Sequence, residues 1–140
     1  IVSQIDGKRI CRIRLKRIPD ASGDSLNRAI KESIEPGSTV ITDGWEGYSQ
    51  LETFGYTHKI AKKDGTIGEN LIPKCNTVAA LLKRWLLGTH QGRVQYLDYY
   101  LDEFTFRFNR RTSRSRGMLF FRLVQQSLMI DPVHAKNLTL

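Results

Sequence analysis

Apolar and polar positions alternate from the first residue: Ile1, Ser3 and Ile5 interleave with Val2 and Gln4, and Asp6-Gly7 follows as a type I′ turn signal. From Cys11 to Lys16 the alternation is clearer, with Cys11, Ile13 and Leu15 set between Arg12, Arg14 and Lys16. A period of two sends successive side chains to opposite faces of a strand, so residues 1–18 predict a half-buried β-hairpin with a positive ladder on its outer face. Pro19-Asp20-Ala21-Ser22 then breaks the strand, and Ser22 or Asp24 can cap a helix carrying Leu26, Ala29, Ile30 and Ile34 until Pro36-Gly37 ends it. The β-branched run Thr39-Val40-Ile41-Thr42 predicts a buried central strand beside the hairpin, delivering Asp43 at its C-terminal end, where Gly44 and Gly47 turn the chain. His58 to Pro73 reads as a short strand entering a mobile polar loop with Lys62, Lys63, Gly65 and Gly68. Helical patterns follow over Thr77–Leu87, Tyr96–Arg110 and Met118–Met129. The order β-β-α-β-(β)-α-α-α predicts an α/β or mixed α+β fold, strands first and helices covering them.

Charge changes the picture more than length does. At 140 residues the chain suits one compact domain or part of one. Lys and Arg number 22 against 14 Asp and Glu, a formal net charge of +8. Such a surface attracts polyanions, which makes nucleic acid the leading partner and purely solubilising charge the alternative. Cys11 and Cys75 have no nearby Cys or His, which argues against a zinc finger or disulfide framework and for free thiols in a reducing compartment. No apolar stretch approaches the length of a membrane span, so a cytoplasmic protein without membrane contact is expected. The chain begins without Met and in mid-pattern, which suggests a truncated start.

Candidate chemistry starts at Asp43. A carboxylate at the end of a buried strand is held rigidly yet open to a ligand, and so suits Mg²⁺, although Thr-Asp-Gly is also an ordinary structural turn. On the helix after Pro73, Val78, Leu81, Leu82 and Trp85 form the apolar side, leaving Asn76, Ala79, Ala80 and Lys83 as a small-residue stripe able to approach a phosphate backbone. An N-terminal Asn cap and a solvated Lys explain that face equally well. Leu97, Tyr100, Leu101, Phe104 and Phe108 make a stripe read as core rather than as a base-stacking platform, and Glu103 with Arg107 is an i,i+4 pair. Arg110, Arg111, Arg114 and Arg116 cluster without an intervening acid, beside Ser113 and Ser115, and favour phosphate contact over plain solvated charge. Trp45 and Tyr48 suit either stacking on an unpaired base or packing around the turn.

Four segments, IRLKRIPDAS (13–22), TVITDGWEGY (39–48), NTVAALLKRWLLGTHQG (76–92) and LDYYLDEFTFRFNRR (97–111), together resemble the RNase H-like catalytic domain of ISXO-type insertion-sequence transposases. The resemblance spans nearly the whole chain. It implies an RNase H-like mixed sheet covered by helices, with an active site of DDE type in which the third acid can be Asn, followed seven positions later by Lys. Carried onto this sequence, the second Asp is Asp43, the third residue is Asn76 and the basic residue is Lys83, with Lys83, the adjacent Arg84, Arg110, Arg111, Arg114 and Arg116 expected on DNA. In such sites two Mg²⁺ ions activate the attacking oxygen and stabilise the leaving one. Asn76 would offer only a neutral carbonyl oxygen. The family's first Asp belongs on a strand before the hairpin, so that strand is expected to be missing here, and the connection between Gln91 and Leu97 looks shortened.

The implied parent activity is metal-dependent cleavage at the ends of a mobile element followed by strand transfer into target DNA. Its expected partners are DNA, Mg²⁺ and further transposase subunits, as a homo-oligomer during transposition. This chain itself is expected to be inactive, the catalytic part occupying 1–130 and a tail 131–140. The alternative is a catalytically dead, basic nucleic-acid-binding remnant. A ribosomal or structural basic protein would explain the charge but not the ordered motifs.

Overall fold

The N-terminal alternation does form a hairpin: β1 (Val2–Asp6) pairs antiparallel with β2 (Arg9–Arg14) in a computed structural model whose described residues are 1–61, 72–91 and 95–132. Asp6 faces Arg9, so the two central turn residues are Gly7 and Lys8, one position later than the Asp-Gly signal suggested. Gly7 has φ 55° and Lys8 is not among the residues with positive φ. Positive φ at the first central position alone is the II′ pattern, where I′ requires it at both. Either primed turn matches the right-handed twist of the strands, so the hairpin survives the change.

Helix α1 (Gly23–Ser33) begins where the sequence placed it. The Ser22 hydroxyl accepts the Ser25 N–H at 3.3 Å, and Asp20 in turn accepts the Ser22 N–H at 3.0 Å and its hydroxyl at 2.5 Å. These bonds to the ionised form hold the Asp20 carboxyl below its ordinary range, the Ser22 hydroxyl contributing most. One face of α1 buries Ile30 against Val40, Leu51 and Tyr56, with Ile34, Tyr48 and Phe54 packed around them.

Strand β3 (Thr39–Thr42) differs from expectation in its partner. It pairs in parallel with β4 (Thr57–Ile60), Thr39 facing Thr57 and Thr42 facing Ile60, and not with the hairpin. Among the described residues there are therefore two two-stranded sheets rather than one continuous mixed sheet. The crossover between β3 and β4 runs through two short 3-10 turns, Glu46–Tyr48 and Glu52–Phe54. One reason the hairpin does not extend through β2 lies in the side chain of Asn109. Its oxygen accepts the Ile13 N–H at 2.8 Å and its nitrogen donates to the Ile13 carbonyl at 2.9 Å, so an amide side chain occupies the place of a neighbouring strand.

The remaining helices pack on the hairpin. Helix α2 (Pro73–His90) is longer than its apolar pattern suggested, because Pro73 takes the first helical position, where its missing N–H costs nothing. Helix α3 (Leu97–Asn109) follows. Ile13, Val78 and Phe104 form a buried cluster from β2, α2 and α3, with Ile10, Leu15, Leu82, Trp85 and Phe108 against it. Fully burying a side chain such as Ile13 or Val78 contributes about 1.5–3 kcal/mol, so this cluster fixes the hairpin to the helices. The stripe on α3 is core, as its spacing predicted. The result is an α+β fold.

The chain divides into two compact units, Ile1–Asn109 and Arg110–Leu140, the second containing α4 (Arg116–Leu128). Among the described residues no helix is long and apolar enough to cross a membrane. The polar loop with Lys62, Lys63, Gly65 and Gly68, part of the Gln91–Leu97 connection and most of the tail lie outside the described residues.

Candidate functional site

Asp43 leaves the end of β3 on a tightly specified turn. Gly44 has φ 84°, and a Cβ there would sit 2.8 Å from Ile60 Cγ2, so glycine is required both by conformation and by space. The Thr42 hydroxyl accepts the Gly44 N–H at 3.2 Å and lies 2.9 Å from His58 Nε2, tying the strand end to β4. Asp43 is exposed, and its Oδ1 accepts the Trp45 N–H at 3.3 Å. The carboxylate thus closes a local turn while keeping its second oxygen for other use. The structural and the ligand readings of this residue are compatible.

Around Asp43 the fold gathers residues from distant segments. Tyr48, half-buried at the end of the first 3-10 turn, has its phenol pushed above the ordinary range, chiefly by burial and then by the negative charges of Asp43 and of Cys75 when ionised. Cys75 belongs to the first turn of α2, directly before Asn76. Its thiol sits 3.7 Å from Ser3 Oγ and 3.8 Å from the Ile1 carbonyl, and Lys74 donates to the Lys8 carbonyl, so this turn is anchored on the hairpin. Tyr48 is therefore within electrostatic reach of both the strand-end aspartate and the turn that carries Asn76.

Asn76 is exposed in the first turn of α2 and is not its cap. The capping position is Ile72, whose carbonyl accepts the Asn76 N–H at 3.1 Å. The cap explanation of Asn76 is thereby removed, since the helix starts four residues earlier than the cap would require. Lys83 and Arg84 are exposed further along the same helix. Among the described residues no three His, Cys, Asp or Glu side chains come together to hold a metal ion. Each Mg²⁺ is usually held by one or two carboxylates, with waters and substrate phosphate filling its octahedron, so one carboxylate and one neutral amide are too few for two such ions. The described donors do not fit the expected two-Mg²⁺ site.

Several of the basic residues are engaged within the fold. Two rungs of the hairpin ladder are engaged: Arg14 donates to the Ser33 carbonyl at the end of α1, and Lys16 forms an ion pair with Glu32. A cation at a helix C-terminus meets unpaired carbonyls and the negative end of the helix dipole, so β2 and α1 are tied by charge. Two of the three charges of the positive ladder are thus engaged within the fold. Arg107 pairs with Glu103 at 2.8 Å, as its spacing indicated. Arg111 and Arg114 are exposed, Arg110 is half-buried, and Arg116 starts α4; all four belong to the second unit. Trp45 and Tyr48 part company: Tyr48 packs against the α1 cluster, whereas Trp45 remains 58 % exposed.

Sequence reasoning missed Asn109, Cys75 and the Thr42–His58 contact. Asn109 lay inside a quoted motif, yet nothing in its neighbours says that it completes a strand edge 96 positions away.

These features define a basic α+β domain in which a strand-end aspartate and the first turn of the helix that carries Asn76 both lie within electrostatic reach of Tyr48. The sequence matches the ISXO2-like transposase domain over residues 2–109, most of the chain, and the protein belongs to that family. It is also 25% identical over 121 residues to a protein of Haemophilus influenzae described as an uncharacterized transposase-like protein, a match covering 85% of this chain and 98% of that one. No solved structure matches the chain.

Proposed function

We propose that this chain is the DNA-handling portion of an insertion-sequence transposase and that, by itself, it binds DNA without cutting or joining it. DNA is the partner implied by membership of a transposase family. The observation that carries the reading is the family match over residues 2–109; that both Asp43 and Cys75 act electrostatically on Tyr48 supports Asp43 and the turn of α2 carrying Asn76 as parts of one site, with Lys83 further along the same helix. Cleavage and strand transfer belong, on this reading, to the intact transposase acting as a homo-oligomer with Mg²⁺, where further carboxylates complete the donor set. Lys83, Arg84 and the cluster Arg110, Arg111, Arg114 and Arg116 supply phosphate contacts that do not depend on sequence. A dead DNA-binding remnant is the second reading, favoured by the same shortage of carboxylates.

The test is binding and nicking measured on the 140-residue chain. Each phosphate contact neutralised adds about 0.9 to the slope of log affinity against log salt, so alanine at Arg110, Arg111, Arg114 and Arg116 should lower that slope by up to about 3–4. An unchanged slope removes the cluster from the DNA surface. Supercoiled plasmid should stay intact with Mg²⁺ or Mn²⁺. Nicking that disappears in Asp43→Ala would show that the chain already holds a complete active site.

A further inference from the structure

The structure assigns Trp45 as a stacking platform for an unpaired nucleobase beside Asp43. This inference rests on the DNA reading above and adds to it a chemical class of ligand: single-stranded nucleotide next to the acidic strand end.

An exposed apolar side chain is ordinary by itself. Trp45 differs because its ring is held in place while 58 % of the residue remains exposed. The indole Nε1–H donates to the Ala21 carbonyl at 3.3 Å, on the segment leading into α1. A Cβ on Gly47 would lie 3.0 Å from both Cδ1 and Nε1 of the ring, so the pyrrole edge rests against bare backbone that only glycine leaves free. The same missing side chain makes room for Leu26, 2.8 Å from that Cβ position. At the other end, the Trp45 backbone N–H is bonded to the Asp43 carboxylate. Ring and carboxylate are thus fixed to one another through a two-residue turn.

Such preorganisation removes most of the ordering cost a flexible side chain would bear on binding. Packing does not explain it, because the neighbouring Tyr48 packs against the α1 cluster while Trp45 as a residue stays more than half exposed. Every base has a π-face, so a fixed indole binds unpaired bases with little regard to sequence, whereas the bases of an intact duplex are already stacked on each other. Trp45 therefore makes this strand end favour DNA that is unpaired there over intact duplex.

The test compares a labelled single strand of mixed sequence with the blunt duplex of the same length, binding each to the full chain by fluorescence anisotropy. The ratio of single-strand to duplex affinity should fall about tenfold in Trp45→Ala, in line with the loss of one base–aromatic stack. Trp45→Phe keeps a ring but cannot donate to Ala21, and should retain part of the preference. Tryptophan emission in the unsubstituted protein should be quenched by the single strand, and that quenching should vanish in Trp45→Phe, where only Trp85 emits. An unchanged affinity ratio in Trp45→Ala, or quenching that persists in Trp45→Phe, overturns the stacking assignment while leaving the DNA reading in place. Failure of both DNAs to bind the unsubstituted chain overturns the DNA reading itself, and the platform with it.

Discussion

Replacing Asn109 with alanine tests whether a single side chain closes the open edge of the hairpin. Ile13 is 1 % exposed, and its backbone N–H and carbonyl both depend on the Asn109 amide, at 2.8 and 2.9 Å. Removing that amide leaves a donor and an acceptor without partners in a partly buried place. Each such group costs about 1–3 kcal/mol, and with some water entering the gap the pair should cost about 2–4 kcal/mol. That is a large share of the 5–15 kcal/mol typical of a whole domain. In urea, with a slope of about 2 kcal/mol per molar, the unfolding midpoint followed by circular dichroism should drop by about 1–2 M. Asn109→Asp is the sharper control, since a carboxylate can still accept from the Ile13 N–H but cannot donate to its carbonyl, and should not restore stability. The unpaired β2 edge should also promote self-association at high concentration. An Asn109→Ala midpoint within about 0.3 M of the unsubstituted protein, or full rescue by Asp, would refute the argument that the amide substitutes for a strand.

Two further outcomes follow from the turn at Asp43. Gly44→Ala must hold a left-handed φ of 84° and fit a Cβ 2.8 Å from Ile60 Cγ2, so it should lose about 1–3 kcal/mol; a thermal melt matching the unsubstituted protein would contradict the geometry. Tyr48, raised by burial and then by Asp43 and Cys75, should ionise later than an ordinary tyrosine, seen as the difference in tyrosinate absorbance between the unsubstituted protein and Tyr48→Phe. The folded state favours its neutral form, so the stability it contributes is whole below the unfolded value of about 10 and is lost as pH rises through the higher folded value. Asp43→Asn should bring that midpoint part of the way down, and no movement would place Asp43 out of reach of Tyr48.

Local physics was legible along the chain. The hairpin at 1–18 follows from two-residue alternation, α1 from Ser22 and the spacing of Leu26, Ile30 and Ile34, and the apolar stripes of α2 and α3 from a 3.6-residue period, because each is set by atoms a few positions apart. Asp43 at a strand end and Asn76 with Lys83 on one helix were legible for the same reason. Partners across the chain were not. Nothing between residues 39 and 42 says that β3 pairs with Thr57–Ile60 and not with the hairpin, since a strand offers the same backbone groups to any edge it meets. The ladder at Arg12, Arg14 and Lys16 gave no sign that two of its charges answer the end of α1. Asn109 looked like any polar residue at a helix end, and nothing near Trp45 in the sequence said that its indole donates to Ala21. Side-chain chemistry and local periodicity were set by the sequence alone, whereas the use of each polar group was decided by tertiary structure, because a hydrogen bond or ion pair depends on which distant group folding brings within about 3 Å.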